Sequence, residues 1–393
     1  MKKVLFMLLL VCMILTALSA CGNSDVPPVD DPQDTSKTPF TPEIIPAEKF
    51  NPRQVVVDYM YKMSKVEWIP KTNIDFTKTI SGNLHYDKGV KYTGIMYVTG
   101  KHLMTDYDEF MEQLDEKGVY IGPTDQPTAY GNHCSSALRL SYDQIVNTLG
   151  FTSTVTMVPS QKRGTIPVGD YVFDDSDKTT DSIVQKNSKE KMFECYALLQ
   201  PGDSILTCWG PTGHSRMVLE VKVEKTGAGK INPSKSTVTT IEQTSSFDST
   251  RKDVKTTWYV EHVYSFTQLF STNYIPLTIE ELNKEAKDTE FSVKNINTAK
   301  NVTSGKLQGV IRSSFLLIQS VTVDYIDSNG NVVATGTYKN PANLSAEKIT
   351  FQFNDVKAPE GVTSLPAGNY TYNITANTIY GSAKVAVVDF TVE

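Results

Sequence analysis

Tyr130-Gly131-Asn132-His133-Cys134-Ser135-Ser136-Ala137-Leu138 runs directly into an apolar helical pattern, Leu138, Tyr142, Ile145 and Leu149, which Gly150 closes. The spacing places Cys134 at a helix N-terminus. There the partial positive charge and the free backbone N–H groups favour thiolate over thiol, and the same N–H groups can receive an oxyanion from an attacked carbonyl. Ala137 and Ser141, small residues on the cysteine's own face, would let this helix lie close against a sheet. A buried structural cysteine is the other reading of this motif taken alone.

A partner for the cysteine follows downstream. Leu198-Leu199-Gln200-Pro201-Gly202-Asp203-Ser204-Ile205-Leu206 reads as a turn and a strand, and Gly213-His214-Ser215-Arg216-Met217-Val218-Leu219-Glu220-Val221 as a second strand. Met217, Leu219, Val221 and Val223 alternate with polar neighbours, so His214 begins a half-buried strand and its imidazole can face the cysteine helix. A further strand, Val238-Thr239-Thr240-Ile241-Glu242-Gln243-Thr244, would supply a polar side chain to the other ring nitrogen and fix its tautomer. In a regular strand Glu242 and Gln243 point to opposite faces, so only one of them can serve.

A cysteine at a helix start, a Pro-Gly-Asp strand, a Gly-His strand opening and a polar residue on the next strand resemble the NlpC-type papain-like cell-wall peptidases and their relatives, the CHAP amidases. The resemblance covers about residues 52 to 280. It implies Cys134 as nucleophile, His214 as general base and Glu242 as third member, with Gln243 the alternative, because Ile241-Glu242-Gln243 is similar to the Glu-Gln-Asn strand of CHAP domains. The chain departs from the family at His133-Cys134-Ser135-Ser136, where NlpC-type enzymes read Asp-Cys-Ser-Gly, and at Thr244, where CHAP domains carry Asn. The stretches 158–191 and 225–235 have no clear counterpart and are expected as loops that shape or cover the cleft. Candidate substrate contacts are Tyr92 and Tyr97, which flank Gly94, together with His133 and Trp209. Aromatics such as Tyr92 and Tyr97 are more often simply core, and Trp209 beside Cys208 is equally well explained as core.

Upstream, Pro52 to Met63 carries Val55, Val56, Tyr59, Met60 and Met63 at helical spacing, and Trp68-Ile69-Pro70 ends that helix. Residues 21–49 are expected as a disordered tether with prolines at 27, 28, 32, 39, 42 and 46, a composition that extends about 3.1 Å per residue. Before it, Lys2 and Lys3 precede the apolar run Val4 to Leu15 and then Leu18-Ser19-Ala20-Cys21. This order reads as a signal peptide over residues 1–20, too short for a spanning helix. Leu-Ser-Ala-Cys is similar to the lipobox of bacterial lipoproteins, which implies lipid on Cys21 and attachment to the outer face of a membrane through that lipid alone.

Charge and composition bound the partners. Lys and Arg total 38 against 44 Asp and Glu, a formal charge of −6 that leaves no basic footprint for nucleic acid. No Cys or His cluster has metal spacing and no cofactor is expected; His85, His102 and His262 read as structural or solvent-facing. Cys134, Cys195 and Cys208 make an odd count after Cys21, so a Cys195–Cys208 pair would leave Cys134 free, while two buried thiols would do the same.

The fold expected is α+β: a papain-like domain over 50–285, with a helix packed on an antiparallel sheet, followed by an all-β sandwich over 290–393. Around Leu277 to Lys287 a short helical, charged pattern marks the boundary. Leu307–Ile311, Gln319–Ile326, Val332–Tyr338, Ile349–Phe353, Asn369–Ala376 and Lys384–Val392 are six candidate strands, with Asp327-Ser328-Asn329-Gly330 as a hairpin. This pattern resembles the Ig-like modules of bacterial surface proteins. The function classes that stay open are a cysteine hydrolase acting on amide bonds of peptidoglycan or peptide, a non-catalytic surface binder with the same fold, and a cysteine acyltransferase.

Overall fold

The computed structural model describes residues 40–80, 84–296, 305–339 and 350–393. The signal peptide, Cys21 and the tether as far as residue 39 lie outside the described residues. The chain is mixed α+β, with short helices and antiparallel strands, and residues 41–393 form one compact unit built around two apolar cores.

The first core is organised by a six-stranded antiparallel sheet. Its strands are β1 (Thr165–Pro167), β2 (Ser204–Cys208), β3 (Gly213–Lys222), β4 (Thr237–Gln243), β5 (Trp258–Ser265) and β6 (Ile275–Ile279), in the order β5-β4-β3-β2-β6-β1. Every residue of β2 and β6 is buried, Ser204, Thr207 and Thr278 included. The alternation expected for β3 breaks at a bulge between Val218 and Glu220, so Met217 and Val218 are both fully buried while Leu219 and Val221 are only half-buried.

Helix α1 (Pro52–Ser64) forms as the spacing predicts, with Pro52 in its first turn and the Asn51 side chain accepting the Gln54 N–H. Helix α2 (Cys134–Tyr142) packs against both α1 and β3, and the Ser141 hydroxyl donates to the Val56 carbonyl of α1. Ser141 therefore serves the helix pair rather than the sheet. The helix stops at Tyr142, short of the expected Gly150. The Arg139 side chain binds the capping Asp143 at 2.6 Å and the Phe151 carbonyl at 2.9 Å, and the Asn147-Thr148 stretch beyond is poor in helix formers.

Other expectations are corrected. Residues 67–70 do more than end a helix: they form a strand between Tyr92–Thr93 and Val119–Tyr120, and Trp68 sits within 6 Å of the rings of Tyr86, Tyr92, Phe110 and Tyr120. The stretch 158–191 is not a loop, because it contributes edge strand β1, the helix Thr180–Gln185 and the start of helix α3 (Lys189–Ala197). The helical pattern at Leu277 is instead β6 followed by a 3₁₀ turn at Glu280–Asn283.

The second core lies between two antiparallel sheets. One contains β7 (Phe291–Lys294), β8 (Lys306–Ser313) and β11 (Thr350–Lys357); the other contains β9 (Ser320–Asp327), β10 (Val332–Lys339), β12 (Gly368–Thr378) and β13 (Gly381–Val392). Strand β7 was absent from the sequence reading, and the Asp327–Gly330 hairpin joins β9 to β10 with Gly330 at φ 84°.

The last residues of the expected tether are part of this lobe. Ile45 is buried and pairs with Thr289, Glu43 exchanges hydrogen bonds with Lys384, and Phe50 packs its ring on Phe315 and Tyr380. No described helix is long and apolar enough to cross a membrane.

Candidate active site

Cys134 opens α2 because the segment before it is pinned on both sides. Asn132 donates its N–H to the Met96 carbonyl and accepts from the Val98 N–H, which leaves no room at Gly131: a Cβ there would lie 2.2 Å from the Met96 oxygen. His133 then caps the helix. Its Nδ1 accepts the Ser136 N–H at 3.2 Å and its own N–H is received by Ser136 Oγ at 2.8 Å. Burial holds the His133 imidazole down to about 4, so it is neutral at physiological pH. The N–H groups of Cys134 and Ser135, in the first turn, have no intrahelical acceptor.

His214 is delivered by the hairpin of β2 and β3, in which Thr207 pairs with His214 and Cys208 with Gly213. Gly213 is required by close approach, since a Cβ would meet the Thr207 carbonyl at 2.4 Å. His214 Nε2 is hydrogen-bonded to Glu242 Oε2, which leaves Nδ1 for Cys134, with which the imidazole also bonds. Glu242 comes from β4 and is 2% exposed. Its Oε2 also accepts Arg216 Nε at 2.6 Å, and its Oε1 accepts the Tyr264 hydroxyl at 2.7 Å. Strand alternation settles which neighbour reaches the imidazole. Gln243 faces the other way, donating Nε2 to the Ile95 carbonyl at 2.8 Å.

The electrostatics follow from this row of contacts. Burial alone would raise the Cys134 thiol, but the hydrogen bond and charge of His214, with the Ser215 N–H and hydroxyl, outweigh it and hold the thiol below its ordinary value. Burial would likewise neutralise His214; the Glu242 charge and the Cys134 sulfur overcome it and push the imidazole up to about 9. Glu242, which burial would raise, is held at about 2 by His214 and Arg216. The shifts together favour a thiolate–imidazolium pair, backed by a carboxylate that stays ionised. Cys134 is 9% exposed and the His214 side chain 20%, so the pair is sheltered.

The other named residues divide. Tyr97 is half-buried with its ring 6.5 Å from that of His133, and burial and the Cys134 charge keep its hydroxyl protonated. Trp209 is 60% exposed in the hairpin that leads to His214. Tyr92 is corrected: at 1% exposure it packs on Trp68 and its hydroxyl accepts the Asp87 N–H, so it lines no groove. Cys195 and Cys208 are free buried thiols, with no disulfide between them. His85 faces Asp75 and Asp87, His102 stacks on Tyr130 at 4.2 Å, and His262 bonds Asp248 at 2.9 Å. Among the described residues no group of three or more His, Cys, Asp and Glu is arranged to hold a metal ion.

Ser215, Arg216 and Tyr264 were missed by the sequence reading. Arg216 had a signal, since it lies two residues from His214 on one strand and so shares its face. Tyr264 had none, because its approach depends on a bulge at Glu261 that shifts the register of β5. No protein-family model matches the chain, and no curated protein matches it.

Proposed function

We propose that this chain is a cysteine hydrolase of papain-like type, of the NlpC and CHAP kind, that cleaves amide bonds in peptidoglycan stem peptides or cross-links. The observation that carries the reading is the continuous contact row Cys134, His214, Glu242, with the sulfur at a helix N-terminus and the carboxylate buried behind the imidazole. Nothing in a purely structural cysteine calls for an imidazole held charged against it.

The chemistry is acyl transfer to water. The Cys134 thiolate attacks the amide carbonyl carbon, and the N–H groups at the start of α2 receive the oxyanion. Collapse of the tetrahedral intermediate breaks the C–N bond as His214 gives its proton to the departing amine. His214 then takes a proton from water, which attacks the thioester and releases the acid and the Cys134 thiolate, restoring the starting pair. Glu242 keeps the ring oriented throughout and remains ionised.

The substrate class rests on the motif order and on the leader. Export by residues 1–20 and lipid on Cys21 would hold the chain at the outer face of a bacterial membrane, beside the wall polymer, with the second lobe as an Ig-like spacer.

The test is digestion of purified peptidoglycan by the full-length protein and by Cys134→Ala, with mass spectrometry of released fragments. Fragments from the parent alone establish hydrolysis and identify the bond. Equal binding by both proteins with no fragments from either would exclude the enzyme.

A further inference from the structure

Arg216 meets the site at the carboxylate of Glu242 and touches none of the reacting atoms. Its Nε bonds the same oxygen, Glu242 Oε2, that His214 bonds, so one oxygen is shared between two cationic groups. The guanidinium carbon lies 3.9 Å from the centroid of Tyr264 and 4.4 Å from that of Tyr274, which fix its plane from β5 and from the residue before β6. Tyr264 then closes the arrangement by donating its hydroxyl to Oε1. Arg216, Glu242, His214 and Cys134 thus form a row of alternating charge, and both carboxylate oxygens are occupied by donors.

We propose that Arg216 is a positioning residue for this site: by sharing Oε2 with His214 it tempers the pull of Glu242 on the imidazole, so that the ring can release its proton to a departing group as well as hold it. The proposal rests on the hydrolase reading for its role in turnover, while the geometry it invokes stands apart from any substrate. A buried carboxylate facing His214 alone would bind the imidazolium proton too tightly for a group that must give it up and take it back in each cycle. A second cation on the same oxygen takes up part of that charge, and the aromatic planes keep the guanidinium from swinging toward His214 itself. The charged and titratable groups that bear on this balance are Cys134 from α2, Arg216 from β3, Glu242 from β4, Tyr264 from β5 and Tyr274.

A merely structural arginine and a tempering one predict opposite signs. If Arg216 only propped up Glu242, its loss would weaken the bond to His214 and let the imidazole titrate lower. If it tempers Glu242, its loss makes the imidazole more basic. The experiment is a pH titration of full-length protein carrying ¹³Cε1-labelled histidine, followed by NMR, with the His214 signal among the five histidines identified by its loss in His214→Ala.

Arg216→Met, which keeps length and apolar contact but removes the charge, is expected to raise the His214 midpoint by at least half a pH unit, about threefold in proton affinity. Arg216→Lys is expected to restore much of the parent value. Tyr264→Phe, which removes one donor from the carboxylate and leaves the ring in place, is expected to shift the midpoint the same way by less, and it keeps the test open if Arg216→Met does not fold. An unchanged or lowered midpoint in the folded variants overturns the proposal. Peptidoglycan digestion by the parent is run in parallel. A raised midpoint without digestion removes the hydrolase reading and leaves the role of Arg216 intact; digestion with an unmoved midpoint does the reverse.

Discussion

Replacing Glu242 by Gln keeps the side chain's shape, removes its charge, and should move the reactivity of a residue on a different element. His214 is pushed from an ordinary 6.5 to about 9 although burial opposes the shift, so its partners supply more than about 3 kcal/mol. Glu242 is the largest of those contributions and also holds the ring by a hydrogen bond, so at least half, about 2 kcal/mol, should go with it. The carboxylate is 2% exposed, so solvent screening does little to reduce that figure. The loss passes to Cys134, whose thiolate depends first on His214 for its partner. Alkylation by iodoacetamide reads the thiolate directly. In Glu242→Gln the pH of half-maximal alkylation should rise by ~1.5 units, with a rate roughly thirtyfold lower on the acid side of the parent's midpoint. Profiles of parent and variant that superimpose would mean that the carboxylate does not govern the pair, and the electrostatic account of the site would fall.

Stability should carry the same signature with a definite sign. Because Glu242 is held at about 2 in the folded chain against an ordinary 4.5, its contribution is present above about 4.5 and vanishes as pH falls toward 2. Urea titrations should show parent and Glu242→Gln converging over that interval, whereas a constant gap down to pH 2 would contradict it. The His214 contribution runs the other way, complete below 6.5 and fading as pH rises through about 9. Gly131→Ala forces a Cβ against the Met96 carbonyl and should cost about 1–3 kcal/mol, seen as a lower melting temperature; an unchanged one would show that the strand pair can yield. Among Cys134, Cys195 and Cys208, native alkylation followed by peptide mass spectrometry should modify Cys134 alone, with Cys195 and Cys208 reacting only after denaturation, since burial raises both thiols; equal labelling of all three would refute this.

The site was more legible in the sequence than the fold around it. Cys134 and His214 announce themselves because each stands at a boundary where the periodicity changes, a helix start and a strand start, and because glycines at 131 and 213 mark close backbone approaches. Strand alternation said only that one of Glu242 and Gln243 could serve, and the preference for Glu242 came from the resemblance of Ile241-Glu242-Gln243 to the CHAP strand. The misreadings arose where local pattern yields to tertiary contact. Tyr92 beside a glycine suggested a groove, yet Trp68 recruits it into a ring of aromatics that no short-range signal encodes. Residues 158–191 carry little periodicity because β1 is only three residues long and is held by its neighbour β6 rather than by its own composition. The bulges in β3 and β5 shift which residues share a face, so a strict two-residue period could not foresee the approach of Tyr264 to Glu242.

The fastening of residues 43–50 onto the second lobe fixes the order in which a pull on the N-terminal side is felt. Tension arriving along the leader first loads the Glu43–Lys384 and Ile45–Thr289 hydrogen bonds, then the ring contacts of Phe50 with Phe315 and Tyr380, and only afterwards reaches Pro52 and α1. Helix α1 is the element that holds α2 through the Ser141–Val56 bond, so strain transmitted to it would tilt the helix carrying the reactive sulfur. The contacts of residues 43–50 with the second lobe therefore stand between a pull arriving at Glu43 and the helix pair that positions Cys134.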